Sequence, residues 1–462
     1  MKLKWRNDGA GWVWFDIITS CFVSSFLHSL SLFLSSFLPT QQQSISSRTF
    51  WILIVSPISL SFSLLFLPCF LVGTLLRILL CATRNQTRTW NSLNLDDRTD
   101  NAENRLDEGR ISVGTTNVML GLEVWCRWQN ISGVYSRLQK VVKAIDDQSG
   151  EYEENLKEIS TENLEKQETI RNNFPRMDII CFQEVHERIF ALILILLLRN
   201  RYSNFIFDIG ENSWNINRFM MSSGLFVASK YPVLDAEFFP FTQKKSWQSY
   251  ISYGVLVFKV DLGNNRVGII SNLHTVAYQG KDDLLSPALD ELHNAMARFK
   301  ARIKDGTERI VFECIAGDFN FDNMSPSEIK YSKHPVFQQY NDVCIKKPGV
   351  DHAWSIGTEL RQLEIGKPEV STPEQFRNIL CDDLRRRYYI LDADVQEQNF
   401  DLMTISPRKG KNGVCVCPEG GRRRIDRILI NKQLATIRGV CFCSCLVGIT
   451  DHVPLVVTAA LL

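Results

Sequence analysis

The stretch that most constrains this chain covers residues 315–323, Ile-Ala-Gly-Asp-Phe-Asn-Phe-Asp-Asn. It follows the apolar residues 310–312, whose pattern predicts a buried strand. Asp318 and Asn320 lie two residues apart, so an extended backbone turns both side chains to one face. Taken alone, the stretch also fits an Asx-rich turn that closes a strand. Other strand ends must decide between these two interpretations.

Polar side chains end several other apolar runs in the same way. Each of them, taken singly, is better explained as an ordinary strand-end group. In α/β proteins the chemistry gathers at the edge where strands end, so their recurrence favours one shared site. The sequence contains neither a G-x-S-x-G nucleophile elbow nor a P-loop. The residues at these strand ends are Asn117, Glu184, His274, Asp426, Asp451 and His452.

Carboxylates, amides and histidines together suit hydrolysis by water beside a hard divalent cation. Mg²⁺ prefers oxygen ligands and keeps several waters, so one or two carboxylates can hold it. The ion neutralises phosphate oxygens, and a histidine held by a carboxylate can take the proton of the attacking water. The pattern therefore indicates metal-assisted hydrolysis of a phosphate ester.

The N-terminal region predicts attachment to a membrane. Residues 12–38 are apolar and Ser-rich, with Asp16 and His28 as the only ionisable side chains, and residues 50–76 carry no charged side chain. About 20 apolar residues are enough for a spanning helix. Two prolines interrupt the second segment, and we expect them to kink it. The segments fit either two crossings or a hairpin that enters one leaflet and returns.

The distribution of charge predicts the domain organisation. We expect a membrane anchor at residues 1–88, a polar linker at 89–109 and a catalytic domain at 110–462, with a charged insertion at 146–173. Basic residues beside the apolar segments favour the cytoplasmic side and attract anionic phospholipids. The expected location is a membrane, with the catalytic domain facing the cytoplasm, at the Golgi or the plasma membrane.

The ordered motifs resemble the DNase I-like endonuclease/exonuclease/phosphatase superfamily. The resemblance implies a four-layer α/β/β/α sandwich and phosphodiester cleavage that depends on Mg²⁺, with Mn²⁺ as the alternative ion. Nucleases and lipid hydrolases share this fold, so the fold alone does not define the substrate. The motifs are Asn117, Gln183-Glu184, His274, Gly317-Asp318-Phe319-Asn320, Arg424-Ile425-Asp426 and Thr450-Asp451-His452.

Longer stretches are similar to the membrane-bound neutral sphingomyelinases within that superfamily. Residues 223–232, 353–358 and 448–454 carry this closer similarity. It implies hydrolysis of sphingomyelin to ceramide and phosphocholine at a membrane surface. The partners it implies are sphingomyelin in membranes and anionic phospholipids, and no nucleic acid is expected.

The resemblance implies a metal ligand and a general base. Glu184 is expected to hold Mg²⁺, with Asn117 close by as a second ligand and a substrate contact. His452 is expected to be the general base, and Asp426 is expected to orient its ring. The resemblance thus makes Glu184 and Asn117 the metal residues and counts His452 and Asp426 among the catalytic residues.

The remaining site residues are expected to handle water and phosphate. Asp318 and Asn320 position both, Asn320 also contacts substrate, and Asp451 completes the polar cluster. His274 is expected to contact the phosphoryl oxygens. The family has a second histidine two residues later, and this chain has Val276 there.

Two further departures concern regulation. Before Gly254 the family usually carries an aspartate and, five residues on, a lysine that gates the site. This chain has Gln248 and Tyr253 at those places. The sequence therefore departs from the family in the gate while it keeps the catalytic set.

Three alternatives remain open from the sequence. A nuclease requires a basic surface for the phosphate backbone, and the arginine runs at 385–387 and 422–424 are candidates for it. A phospholipase C-type hydrolase fits the same fold. A membrane scaffold without catalysis is the non-enzymatic alternative. The net charge of +1 favours none of them.

Overall fold

The structure is a computed structural model, and much of the predicted insertion 146–173 lies outside the residues that it describes. The described ends of that insertion belong to a helix before it and to a short helix and strand after it. The described residues are 2–5, 10–41, 43–83, 88–95, 109–148, 166–211, 222–245, 248–249, 251–277, 282–303, 307–393 and 420–462.

The first sheet has nine strands in the described residues. They are β1 Lys2–Trp5, β2 Arg88–Asn94, β3 Arg110–Leu120, β4 Ile170–Arg171, β5 Ile179–Val185, β6 Asn204–Glu211, β7 Phe226–Ser229, β16 Ala435–Cys443 and β17 Leu455–Leu461. Their order across the sheet is β1-β2-β6-β7-β5-β3-β17-β16-β4. The central strands β3 and β5 run parallel and are buried along nearly their whole length, as strands covered on both faces must be.

The second sheet has six strands in the described residues. They are β8 Val233–Pro240, β9 Gly254–Asp261, β10 Arg266–His274, β11 Arg309–Asp318, β12 Tyr340–Asp342 and β15 Asp426–Asn431. Their order is β12-β15-β11-β10-β9-β8, and β13 Ile345–Lys347 pairs separately with β14 Val350–Asp351. Strands β9 and β10 form a hairpin, and its turn residues Asn264 and Asn265 have positive φ.

The described residues also form eleven α-helices. They are α1 Ala10–Ser35, α2 Ile45–Phe50, α3 Ser56–Thr83, α4 Glu123–Trp128, α5 Val134–Asp146, α6 Lys166–Thr169, α7 Arg188–Leu198, α8 Leu285–Ile303, α9 Val336–Gln339, α10 Pro373–Cys381 and α11 Asp383–Tyr389. Helices α5 and α7 share a core with the first sheet, and α8 shares one with the second. A third core, between the sheets, includes Val113 and Cys181 from one and Ile270 and Cys314 from the other. The predicted four-layer sandwich is confirmed.

Two helices near the N-terminus are long and apolar enough to cross a membrane, judged by length and composition. Helices α1 and α3 pack against each other, with the rings of Phe26 and Phe70 4.5 Å apart. Gly73 permits this approach, because a Cβ there would lie 2.8 Å from Cβ of Phe22. Helix α3 continues through Pro68, since an apolar partner holds it on one side. The two segments form a helical hairpin.

Part of the predicted linker 89–109 is a strand, which corrects the sequence interpretation. Strand β2 pairs with β1 on one side and with β6 on the other. Trp90 packs against the core between the sheets, and Leu93 packs into the outer core. The polar residues between these two anchors made the segment resemble a linker. Residues 96–108 lie outside the described part of the chain.

Three buried arginines hold the start of β15. Arg424 donates to Asp342 at 2.9 Å and to Asp351 at 3.2 Å, and Arg427 donates to the same Asp342 oxygen at 3.2 Å. Arg423 donates to two further buried carboxylates. A buried charge is tolerated when it is paired, so these contacts fix the backbone on both sides of Asp426.

We expect Asp342→Ala to destabilise the fold by about 3–5 kcal/mol, because it leaves two buried guanidinium groups without their shared carboxylate. Chemical denaturation followed by circular dichroism measures this change. The matched control is Asp290→Ala, which removes a carboxylate that is 72% exposed and pairs with His334. It is expected to cost about 1 kcal/mol or less. Equal unfolding midpoints for the two variants would contradict the role of the network.

Candidate active site

The register of the second sheet brings three predicted site residues into one row. His274 lies opposite Asp318 in the parallel pair of β10 and β11. Asp318 lies opposite Asp426 in the antiparallel pair of β11 and β15. All three end or begin their strands at the same edge, and all three are buried. The sheet therefore supplies a carboxylate flanked by a histidine and a second carboxylate.

Glu184 reaches this row from the first sheet through a strained backbone. Its φ is 61°, in the left-handed region that a glutamate rarely adopts. Gly224 allows the turn, because a Cβ there would lie 2.9 Å from the backbone N and Cα of Glu184. The carboxylate is 19% exposed and lies 3.9 Å from His274 Nε2. The local strain aims a partly solvated carboxylate at the pocket.

Asn117 joins the two sheets behind the pocket. Its Nδ2 donates to Glu184 Oε1 at 2.9 Å and to Asp318 Oδ2 at 3.1 Å. Its Oδ1 accepts from the backbone N–H of Met119. Asn117 is fully buried, and both ends of its amide are used within the protein. This placement differs from the expected metal and substrate contacts, and it makes Asn117 the residue that spaces two carboxylates.

His452 and Asp426 form a buried pair. His452 Nδ1 lies 2.8 Å from Asp426 Oδ2, and Nε2 lies 3.8 Å from Asp318 Oδ2. The hydroxyl of Thr358 accepts from the backbone N–H groups of Ile425 and Asp426, which holds the loop before β15. The Asp426 contact orients the ring, so Nε2 is the nitrogen left to face the other polar groups.

The protonation behaviour of the site follows from burial and from its many carboxylates. Burial, followed by the charge of Asp451, raises the pKa of Glu184 to about 7. Burial lowers the pKa of His274 to about 4, so that ring is neutral at pH 7. Burial also acts to lower the pKa of His452, but Asp426, Asp318 and Asp451 outweigh it and hold that pKa well above the usual range.

Asn320 lies beside this cluster in a defined orientation. Its backbone N–H donates to Asp318 Oδ1 at 2.9 Å, and its Nδ2 donates to the carbonyl of Thr275 at 2.9 Å. A carbonyl can only accept, so this bond identifies Nδ2 and leaves Oδ1 as the acceptor. An acceptor suits a water hydrogen better than it suits an anionic phosphoryl oxygen.

The donor set fits a metal ion. In the described residues, one atom each from Asp318, Asp426 and His452 lie within 4.8 Å of one another. The pocket beside them is lined by the four carboxylates Glu184, Asp318, Glu359 and Asp451 and by no lysine or arginine of the described chain. A phosphate anion can enter such a site only beside a cation. The family that the comparisons below identify generally uses divalent metals.

A cavity of about 420 Å³ gathers most of the predicted residues. Glu184, His274, Asp318, Asn320, Asp451 and His452 line it, whereas Asn117 and Asp426 lie behind it. The structure therefore brings all eight predicted residues together. Six of them form the wall of the cavity, and the other two lie behind that wall and contact its residues.

The cavity also has residues that sequence reasoning missed. Glu359 forms a β-bridge with His452 and accepts from Arg423 at 2.8 Å, and it directly follows the quoted motif at 353–358. An apolar wall comes from Trp125, Trp128 and Ile251. Tyr253, in the expected gate, packs edge-on against His274 with centroids 4.9 Å apart. No spacing signal in the sequence links these segments to the strand ends.

Curated relatives with similar sequences are sphingomyelin phosphodiesterases. Sphingomyelin phosphodiesterase 5 of Danio rerio is 30% identical over 300 residues, which cover 61% of this chain and 52% of the relative. Sphingomyelin phosphodiesterase 3 of Homo sapiens is 28% identical over 300 residues, which cover 61% of this chain and 44% of the relative. The chain spans about half the length of the curated relatives it matches.

Solved structures align with most of the chain at low identity. A beta toxin from Staphylococcus aureus has a TM-score of 0.42 and 13% identity, and covers 75% of this chain and 99% of its own. The human Nocturnin catalytic domain has a TM-score of 0.39 and 12% identity, and covers 81% of this chain and 98% of its own.

A family comparison matches a longer continuous region. The Endonuclease/Exonuclease/phosphatase family matches residues 130–452, which is more than half of the chain. That region contains Glu184, His274, Asp318, Asp426 and His452, which the fold gathers at one edge. The chain belongs to the endonuclease/exonuclease/phosphatase family.

Proposed function

We propose that this chain is a metal-dependent phosphodiesterase that hydrolyses sphingomyelin to ceramide and phosphocholine at a membrane surface. One observation carries the proposal: the His452–Asp426 pair faces Asp318 and Glu184 in a pocket that has no lysine or arginine among its described lining residues. Such a pocket suits a phosphodiester held by a cation and attacked by water.

The substrate follows from the relatives and from the pocket wall. The relatives are named for sphingomyelin, whose phosphate joins ceramide to choline. Aromatic faces attract quaternary ammonium groups, and Trp125, Trp128 and Tyr253 supply such faces near the phosphate site. The carboxylates Glu359 and Asp451 add negative charge there. A phosphocholine headgroup matches the aromatic side chains and the negative charge of this pocket.

The proposed reaction is attack of water on phosphorus. Asn320 Oδ1 accepts a hydrogen from the water, and His452 Nε2 removes its proton. The new P–O bond forms as the bond to the ceramide oxygen breaks, and that oxygen takes up a proton. His274 contacts the phosphoryl oxygens, and Asp318 positions the phosphoryl group and the attacking water. Asn117 keeps Glu184 and Asp318 apart and therefore acts as a positioning residue.

The metal site belongs to Glu184. Its carboxylate is partly solvated, whereas Asp426 Oδ2 and His452 Nδ1 are already bonded to each other. Mg²⁺ prefers oxygen ligands and retains water, which favours Glu184 and leaves His452 as a base; Mn²⁺ is the alternative ion. When bound, the ion supplies charge neutralisation at the phosphate oxygens.

Half of the arginines in the two runs are withdrawn from solvent. Arg386, Arg423 and Arg424 are each 2% exposed or less. They bond to Asp383, to the Asp322 and Glu328 carboxylates, and to Asp342, so these three arginines hold the fold together. Of the other three, Arg385 is exposed, and Arg387 and Arg422 are half-buried. A surface that binds a phosphate backbone needs exposed cations.

The proposed organisation keeps residues 1–88 mainly as the anchor and 110–462 as the catalytic domain. The α1–α3 hairpin attaches the chain to a membrane of the Golgi or the cell surface, with the catalytic domain on the cytoplasmic side. Anionic phospholipids are the second lipid partner, since basic residues flank the apolar segments.

The direct test is release of phosphocholine from sphingomyelin vesicles by the full chain with Mg²⁺. Chelator is expected to abolish release, and Glu184→Gln is expected to reduce it about 100-fold or more, because the ion supplies several kcal/mol. Asp290→Asn, a surface carboxylate, is the matched control. Cleavage of a different phosphodiester but not of sphingomyelin under the same conditions would show that sphingomyelin is not the substrate. No hydrolysis at all would favour a membrane scaffold without catalysis.

Asp426→Asn is expected to lower kcat by about 10²–10⁴-fold, the usual contribution of a general base. The charge of Asp426 raises the pKa of His452, and the base works only when deprotonated. Removing that charge lowers this pKa, so the acid limb of the rate profile moves to lower pH. A pH–rate profile checks the shift. An unmoved acid limb together with normal kcat would contradict the role of the pair.

Trp125→Leu is expected to raise KM for sphingomyelin by about 3–30-fold, the size of one cation–π contact. A ceramide lipid with a phosphoethanolamine headgroup is expected to change less, since its ammonium is more strongly hydrated. Assays of both lipids in vesicles of the same composition measure the difference. Equal changes for the two lipids would show that Trp125 does not contact the headgroup.

A further inference from the structure

Helix α7 is apolar on both of its faces. One face packs into the outer core of the first sheet through Phe190, Ala191, Leu194, Ile195 and Leu198. The other face exposes Ile189, Leu192, Leu196 and Leu197, with exposed fractions of 41%, 46%, 55% and 37%. A helix that is apolar all round is usually buried all round. The outer face of α7 therefore needs a partner outside the described residues.

The N-terminal end of α7 lies against the apolar hairpin. Arg188 Nη1 donates to Ser20 Oγ of α1 at 3.2 Å. His28 of α1 packs edge-on against Phe190, with ring centroids 5.7 Å apart, and lies 3.5 Å from Glu187. The hairpin in turn exposes many large apolar side chains, including Leu64 at 64%. The outer face of α7 is thus close to a much larger exposed apolar surface.

The surroundings of α7 match a helix at a bilayer interface. Tyr135 is 51% exposed and packs edge-on against Phe190, with centroids 5.3 Å apart. Arg199 is exposed just beyond the C-terminal end of the helix, and Arg201, also exposed, pairs with Asp146 at 3.1 Å. Interfacial helices combine an apolar face with aromatic side chains and with cations that reach the lipid headgroups.

We propose that the outer face of α7 (Ile189, Leu192, Leu196 and Leu197) lies in the lipid bilayer beside the hairpin. The occupant is lipid because the face lies next to the hairpin, whose two helices are of membrane-spanning length. A protein partner on this face would have to displace the lipid around that hairpin. With α7 in the bilayer, the catalytic domain contacts the membrane directly, in addition to its attachment through the hairpin. Helix α1 has the catalytic domain on one side, so α3 and α7 are the elements that face lipid.

The contact of α7 and the hairpin with the bilayer also orients the pocket toward the membrane. Arg127 of α4 donates to the backbone carbonyls of Ser35 and Leu38 at the end of α1. The next residue, Trp128, lines the pocket and is 70% exposed. The mouth of the pocket therefore lies near the end of α1 that the catalytic domain holds. A lipid headgroup in the adjacent leaflet can enter without leaving the membrane surface.

Photo-crosslinking tests the contact without requiring catalysis. The full chain carries p-benzoylphenylalanine in place of Leu196 and is bound to vesicles of phosphatidylcholine, sphingomyelin and phosphatidylserine. Mass spectrometry is expected to find lipid adducts at position 196. The same amino acid at position 64 on α3 is the positive reference, and at position 384, an exposed leucine of α11, it is the matched control. Lipid adducts at 64 but none at 196, or protein adducts at 196, would overturn the proposal.

A substitution tests the consequence for turnover. Leu192→Gln with Leu196→Gln is expected to raise KM about 10-fold on vesicles and to leave activity in detergent micelles unchanged. Leu234→Gln with Leu384→Gln removes two exposed leucines elsewhere and is expected to change neither. An unchanged vesicle KM in the α7 variant would overturn the proposal. Absence of activity in the unaltered chain would instead count against the proposed function, and the crosslinking result would still decide the α7 contact.

Discussion

The site depends on how Asp318 is held between the two sheets. It ends the central strand β11 and accepts from Asn117 of the first sheet at 3.1 Å. His274 Nε2 and His452 Nε2 lie 3.6 Å and 3.8 Å from the same oxygen. A buried carboxylate is costly unless its oxygens receive donors, so its partners are forced toward it. The polar cluster is thus assembled around a single desolvated charge.

The rest of the fold supports that charge in two ways. Buried arginines balance the carboxylates behind the pocket, and they fix the loop that leads into β15 and Asp426. The pocket itself keeps its negative charge, because no described lysine or arginine lines it. The arginine–carboxylate pairs therefore stabilise the fold behind the pocket. The excess negative charge lies in the pocket, where it favours binding of a cation.

The proposed membrane contact and the proposed active site meet at the helices of the first sheet. Helix α4 connects the hairpin to the wall of the pocket, and α7 extends the exposed apolar surface along the catalytic domain. Residues 189–198 are apolar throughout, but helix α7 buries only one face in the outer core. Such a sequence has no periodicity that separates the two faces, so only the tertiary structure shows which face is covered.

The sequence by itself determined the two apolar N-terminal segments and the eight residues at the strand ends, because apolar periodicity and motif order are local properties. The sandwich followed from the resemblance of those motifs to a known family. The tertiary structure decided their placement. It set Asn117 behind the pocket and made β2 a strand within the expected linker. It added Glu359 and the tryptophan wall, and it paired Arg423 and Arg424 with buried carboxylates. These features depend on contacts between residues far apart in the chain, which spacing along the sequence does not encode.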